Sequence, residues 1–588
     1  MSGIPALSYL FFTPGTLAKT LFLTEPCLVT NLPKHATLIL ALLVFLSARL
    51  TGAITPNATL TPDQLATRFL AQATFGPSPD SLNQLKALNY DYSAWISAEA
   101  AKPVTSAVAV LQTAKSANPI TTFDKSSNRR ARTEVMLSAS DQLRQRVAYA
   151  LSQIMVISDN DSAVENGLEG SSSYYDMLAR DALGNFRTLL MDVTRHPIMG
   201  RYLSHYKNRK ANLTTGTRPD ENYAREVMQL FAIGLYKLNT NGTYKTDTTG
   251  HPLEVYTNDD ITVFARVFTG FTDDSTNNTG TGTGRTDFPS AAANYTTPMR
   301  MWEPQHDTGT KKLLAYTGAR KPTLPANQTG LTDVQDAIDN LVEHPNTAPF
   351  VSRLLIQRLV ASNPSPAYTA RVAAIFINNG QGVRGDLLAV VKAILLDPEA
   401  RDAANITTTA QGKLQEPFLR LTQFLRAFRF TVVAGTLPYD FSSTFTENTM
   451  GQFPLGAPSV FNFYSPEFAP TGPVATANLV APEFQILNSV FSVTFPNALY
   501  TLIQTGAGQF RLNLTEQESL AANPAQLIDN LDLYLTHGTL SAETRAAMLN
   551  TLQKITTGMV PAGSTLNRTR TQLALHLFAL SPDFAILK

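Results

Sequence analysis

The chain has 588 residues, enough for two or three average domains or one large lobed one; 44% are hydrophobic, 16% are charged and the formal net charge is +1. That balance argues against general nucleic-acid binding, which needs a basic footprint, and it supplies no polybasic membrane signal. The single cysteine, Cys27, leaves no internal disulfide and no thiolate zinc cluster; a large core does without disulfides even in an oxidising compartment.

In chain order, the first segment with a reading is "KHATLILALLVFLSARLTGA", residues 34–53. Lys34 and His35 form a short polar n-region, Ala36 to Ala48 an apolar core and Thr51-Gly52-Ala53 a small-residue cleavage site, the pattern of an export signal. The apolar run falls short of the about 20 residues that span a bilayer comfortably, so no stable transmembrane anchor is expected after cleavage; an N-terminal anchor helix is the competing reading. The residues before Lys34 put the translation start in question. Initiation at Val29 from a GTG codon would leave Cys27 untranslated. Triplets of the N-x-S/T type begin at Asn212, Asn241, Asn294, Asn405 and Asn513 and act as glycosylation sites only in a host that glycosylates exported proteins.

From Thr61 onward the dominant period is helical. Thr61 is a natural N-cap with Pro62 at the first helical position, and Gly76 closes the helix. Arg132 to Ile157 carries Leu143, Val147, Ala150, Leu151 and Ile154 at spacings of three and four, which predicts a helical run. The stretch "YYDMLARDALGNFRTLLMDVTRHP" predicts two short helices or one broken at Gly184, stopping before Pro197. Thr257 and Asp260 form a capping box for "NDDITVFARVFTGF". Residues 272–330 are rich in Gly, Thr, Asn and Pro and predict a surface insertion with a short strand pair at Tyr295–Trp302 and Lys312–Tyr316. Helical patterns return from residue 331, several ending at His-Pro or Asp-Pro. Residues 451–472, "GQFPLGAPSVFNFYSPEFAPTG", are too rich in Phe for a solvated linker and predict an ordered loop packed on the body. The expected architecture is all-α, mainly helical. Residues 1–53 are an upstream segment plus signal peptide, 54–271 an N-terminal lobe, 272–330 the insertion and 331–588 a C-terminal lobe, with 54–588 together one large domain.

The stretch "RPDENYAREVMQLFAIGLYKLNTNGTY" (218–244) holds the strongest site candidates. On a helical wheel Tyr223, Val227, Leu230, Phe231 and Gly234 make an apolar face, Asn222, Glu226 and Gln229 a partly buried polar stripe, and Glu221, Arg225 and Ala232 the narrow solvent side. Glu221 and Arg225 are an i,i+4 pair. A buried carboxylate needs a partner or a shifted pKa. Two readings follow: a satisfied packing network, or a site in which Glu221, Arg225 and Glu226 are catalytic candidates. A divalent metal would draw on Glu226 with His306 and Asp307 from "WEPQHDTGTKKLL"; the competing reading there is an Asp-Gly turn. Asp-Thr-Gly occurs once and lacks the preceding apolar strand of an aspartic protease. His196 and His205, nine apart across Pro197 and Gly200, do not share a helical face. Arg-Gly-Asp at 384–386 reads as a helix start rather than an adhesion motif, and "GTGTG" (280–284) lacks the flanking strand and helix of a phosphate loop.

The phrases "RQRVAYALSQIMVIS", "RPDENYAREVMQLFAIGLYKLNTNGT", "HDTGTKKLL", "HPNTAPFVSRLLIQRLVASNPSP" and "GAPSVFNFYSPEF" run in the order found in the bacterial family called domain of unknown function 1800, and the chain resembles that family over residues 64–490. The resemblance implies an exported protein, often encoded beside a second secreted family, domain of unknown function 1501, of sulfatase-like character, which makes a member of that family a candidate partner. It implies no reaction, cofactor or catalytic residue. In many relatives the position of Gln229 resembles Glu, so a carboxylate-dependent metal site would be weaker here. Two functions are therefore expected: an exported envelope or extracellular accessory or binding protein, or a metal-assisted hydrolase of an extracellular polymer or ester.

Overall fold

In the computed structural model the capped apolar runs become short helices packed around one another. Residues 60–588 are described, apart from 118–122, 275–286, 290–292, 409 and 434–443; the export-signal segment 34–53 and the "GTGTG" run lie outside them. Helix α1 (Pro62–Ala73) starts as its sequence predicts. The Thr61 hydroxyl accepts from the Gln64 N–H, and Gln64 Oε1 accepts from the Thr61 N–H at 2.9 Å, satisfying two donors that a helix start leaves open.

The run from Arg132 to Ile157 is not continuous. It divides into α2 (Lys125–Ser138) and α3 (Gln142–Ser152), with Asp141 at the break. Asp141 Oδ2 accepts from the Thr105 N–H at 3.2 Å and from Gln145 at 3.0 Å. A short acidic side chain finding partners off the helix ladder explains the interruption. Helices α4 (Gly170–Asp181) and α5 (Phe186–Arg195) flank Gly184 as predicted, and α5 ends at His196, before Pro197. The "RPDENYARE" segment forms α6 (Asn222–Glu226), and α7 (Asn258–Val267) opens on the Thr257–Asp260 capping box.

The central insertion pairs differently from the prediction. Strand β1 (Phe271–Thr272) pairs antiparallel with β2 (Arg300–Met301), and β3 (Lys311–Lys312) with β4 (Thr323–Leu324). Two-residue strands carry little pairing preference of their own. Gly270, at a φ of 97°, turns the chain leaving α7 so that its carbonyl accepts from the Trp302 N–H at 2.7 Å, and β2 thereby meets β1 rather than β3.

In the second half, α8 (Gly330–Glu343) stops at His344 and leads into α9 (Thr347–Leu359). Helix α10 (Pro366–Ile377) precedes α11 (Leu387–Leu396), which Asp386 caps by accepting from the Ala389 N–H. Strand β5 (Lys413–Leu414) runs into α12 (Pro417–Ala427). One apolar cluster extends from Ala66 to Phe584. Helix α3 packs on α9, α5 on α8 and α1 on α11, and residues 56–588 form one compact unit. No helix among the described residues is long and apolar enough to cross a membrane.

Candidate functional site

Helix α6 passes directly into a π-helical turn, Val227–Ala232. A π turn closes i to i+5 rather than i to i+4, so a wheel drawn at α-helical pitch fails past Glu226. Tyr223, Val227, Phe231 and Gly234 are buried as the wheel predicts and Leu230 is half-buried. Ala232, expected toward solvent, is fully buried, and the polar stripe separates: Asn222 is exposed, Glu226 buried and Gln229 half-buried. Such turns concentrate at functional sites, which directs attention to what Gln229 faces.

Gln229 lines a cavity of about 350 Å³, at the small end of ligand-sized pockets. The π turn and its exit supply Gln229, Leu230 and Gly234; residues 235–244 supply Leu235, Tyr236, Leu238 and Tyr244; α9 supplies Phe350, Arg353, Leu354, Gln357 and Arg358; Gln153 and Ile154 follow α3. The ordered loop supplies Val460, Phe461, Ser465, Pro466 and Glu467. Leu235, Tyr236, Tyr244 and Phe461 are 45, 38, 42 and 56% exposed, so apolar side chains stand at the lip.

Specific hydrogen bonds hold these walls. Asn346, just before α9, donates to the Ile233 and Tyr236 carbonyls at 2.9 and 2.8 Å and accepts from the Leu238 N–H at 3.0 Å, which fastens the π-turn exit to α9. Gln357 Nε2 donates to the Pro466 carbonyl at 3.1 Å, and Arg353 pairs with Glu467 at 2.8 Å. The Asp159 N–H donates to the Leu455 carbonyl at 2.8 Å and Ser158 to that of Ala457 at 2.6 Å. The loop predicted to pack on the body is thus tied down along its length.

A buried charge cluster adjoins the cavity through Gln153, Gln357 and Arg358. Its centre is Glu416, fully buried before Pro417. Glu416 Oε2 accepts from Tyr149 at 2.7 Å and from Gln153 and Gln452, and Oε1 accepts from Tyr464 at 2.9 Å. Burial acts to raise its pKa, but Lys413, Tyr149, Arg146 and Gln452 outweigh it and hold the carboxyl below its ordinary range. Lys413 Nζ lies 2.9 Å from Glu483 and donates to the Gln357 and Arg358 carbonyls. Arg146 Nη2 donates to the Arg358 carbonyl at 2.7 Å, leaving its Nε and Nη1 without protein partners; Nε and Nη1 of Arg358, which is only 2% exposed, are likewise unpartnered. The Arg358 guanidinium lies over the Tyr464 ring at 4.5 Å.

The candidates named from sequence occupy other places. Glu221 and Arg225 form a loose surface pair at 3.6 Å, and Glu221 also accepts from Thr262 at 2.8 Å. Glu226 is buried with Oε2 unpartnered; burial raises its pKa while Arg225 opposes the rise. His306 is sealed between Asp333, at 3.0 Å, and the Thr269 carbonyl, at 2.9 Å, while Lys311 reaches the same Asp333 oxygen at 2.6 Å. Asp307 takes two bonds of 3.0 Å from Arg266; burial works against its ionisation, but those bonds hold its pKa low. Glu226, His306 and Asp307 are not brought together, and no group of three His, Cys, Asp or Glu among the described residues is placed to hold a metal ion. His196 and His205 are both buried; His205 Nε2 meets the Thr194 carbonyl at 2.8 Å and its ring lies 3.9 Å from that of Tyr223.

Sequence reasoning passed over Arg146, Tyr149, Gln153, Arg358, Lys413 and Glu416. A signal was present: Arg146, Tyr149 and, one residue past α3, Gln153 recur at helical spacing on one face, and Gln357-Arg358 interrupt "SRLLIQRLV". Against known proteins, one family model matches, described as "Protein of unknown function (DUF1800)", over residues 68–586. No curated protein and no solved structure matches the chain.

Proposed function

Because the chain belongs to the DUF1800 family, whose function is not defined, we propose that it is a binding protein and that the cavity between the π turn and the 451–472 loop is its ligand site. The observation that carries this reading is the lining itself. The walls are mainly apolar, with three glutamine amides, two tyrosines, Ser465 and two arginines, and their one carboxylate is Glu467. No histidine or cysteine lines the cavity among the described residues, and that one carboxylate is held in the Arg353 ion pair. A concave apolar pocket with a few fixed polar groups is the ordinary form of a small-molecule site. The export-signal pattern of residues 34–53 supports a role in the periplasm, at the envelope or outside the cell, and the family resemblance supports a secreted protein of the domain of unknown function 1501 family as the proposed partner.

The reading is tested with N-phenyl-1-naphthylamine, a neutral apolar fluorophore, added to purified protein. One molecule should bind per chain with a blue-shifted, enhanced emission, and Gln229→Trp, which fills the cavity from its half-exposed wall, should abolish uptake. Equal uptake by that variant, or none by the wild type, would overturn the assignment.

A further inference from the structure

We infer that the ligand is a small organic carboxylate with an apolar body, its anion held by Arg358 and its body by the cavity's apolar walls; this rests on the binding role proposed above. Three buried cations, Arg146, Arg358 and Lys413, face two buried carboxylates, Glu416 and Glu483. Burying a cation without a matching anion is costly, and the surplus positive charge lies beside the cavity. The cluster's only cation that lines the cavity is Arg358, whose Nε and Nη1 have no protein partner. The guanidinium fork suited to the two oxygens of a carboxylate is Nε–H with the Nη2–H cis to it, and the Nε of Arg358 has no protein partner to occupy that fork. The other arginine in the lining, Arg353, is occupied by Glu467.

The body of the ligand follows from the rest of the lining. Ile154, Leu230, Phe350, Leu354, Val460 and Phe461 offer no hydrogen bonds from their side chains, so a ligand body resting on that face is matched by hydrocarbon, and hydroxyls turned toward it would be unsatisfied. A polyphosphate would place further charge against hydrocarbon. An alkyl or aryl chain ending in one carboxylate satisfies both halves of the site.

Calorimetric titration of the full mature protein with sodium octanoate, 1-octanol and octylammonium chloride separates the terms. Octanoate should bind about tenfold or more tightly than octanol, the effect of a charge-assisted hydrogen bond, and octylammonium should not bind. Gln229→Glu puts a negative charge on the cavity wall without touching the buried cluster. It should weaken octanoate about tenfold more than it weakens octanol. Arg358→Gln should erase the preference for octanoate. Octanol binding as tightly as octanoate, or octanoate unaffected by Gln229→Glu, would overturn the inference. If octanoate fails to bind while N-phenyl-1-naphthylamine still does, the charge assignment falls and the binding role stands; if neither binds, the binding role falls with it.

Discussion

Replacing Glu416 by Gln removes one charge from the buried cluster while keeping its shape. Two effects compete. The hydrogen bonds change little: if the new amide nitrogen occupies the Oε1 position, the three donors on Oε2 keep an acceptor. The Tyr464 hydroxyl can turn toward Gln153 Oε1, 3.4 Å away. The charge change is larger, because Lys413 and Arg146 lose the carboxylate that offsets their burial and Glu483 alone remains. Removing one member of a buried ion pair costs about 3–5 kcal/mol, a large share of the about 5–15 kcal/mol by which domains are stable. Urea unfolding followed by helical circular dichroism at pH 7 should show this as a lowered midpoint. The pH dependence supplies a second check. The folded pKa of Glu416 lies below its ordinary value of 4.5, so its stabilisation is full above about 4.5 and is lost as the pH falls through the folded pKa. The gap between wild type and variant should therefore narrow in acid. A variant within about 1 kcal/mol of wild type at pH 7, or a gap that widens on acidification, would refute this account of the cluster.

Gly234→Ala puts a side chain at a φ of 73° with its Cβ 2.8 Å from the Phe350 ring. The backbone alone should cost about 1–2 kcal/mol, and the displaced ring should lower fluorophore uptake, both measurable on one preparation. Burial holds the His205 pKa down at about 4 against an ordinary 6.5, although its bond to Thr194 acts the other way. The unfolded chain therefore takes up a proton that the folded one excludes, and stability is lost as the pH falls from 6.5 toward 4; His205→Gln should flatten that part of the unfolding-versus-pH curve. Glu221→Ala, at a surface pair with both side chains 41% exposed, should shift urea unfolding by less than about 1 kcal/mol. His306→Ala should cost about 3 kcal/mol or more by stripping a bond from buried Asp333, and metal analysis by mass spectrometry should read the same before and after that change.

Sequence alone determined what is decided within a few residues of chain. Thr61, Thr257 and Asp386 start helices because their side chains reach backbone donors three residues on. His344 and Asp397 end helices because proline follows, and the Phe-rich 451–472 loop packs because it is too apolar to stay solvated. Tertiary structure decided the rest. It set the π turn at 227–232, which no local pattern distinguished from α-helix and which moved Ala232 inward and opened the polar stripe. It also gathered Tyr149, Gln153, Glu416, Gln452 and Tyr464 from three distant segments around one carboxylate. A cap needs only its own helix, whereas a buried charge is tolerated only where partners remote in the chain converge on it. The cavity beside that charge is therefore a property of the assembled fold.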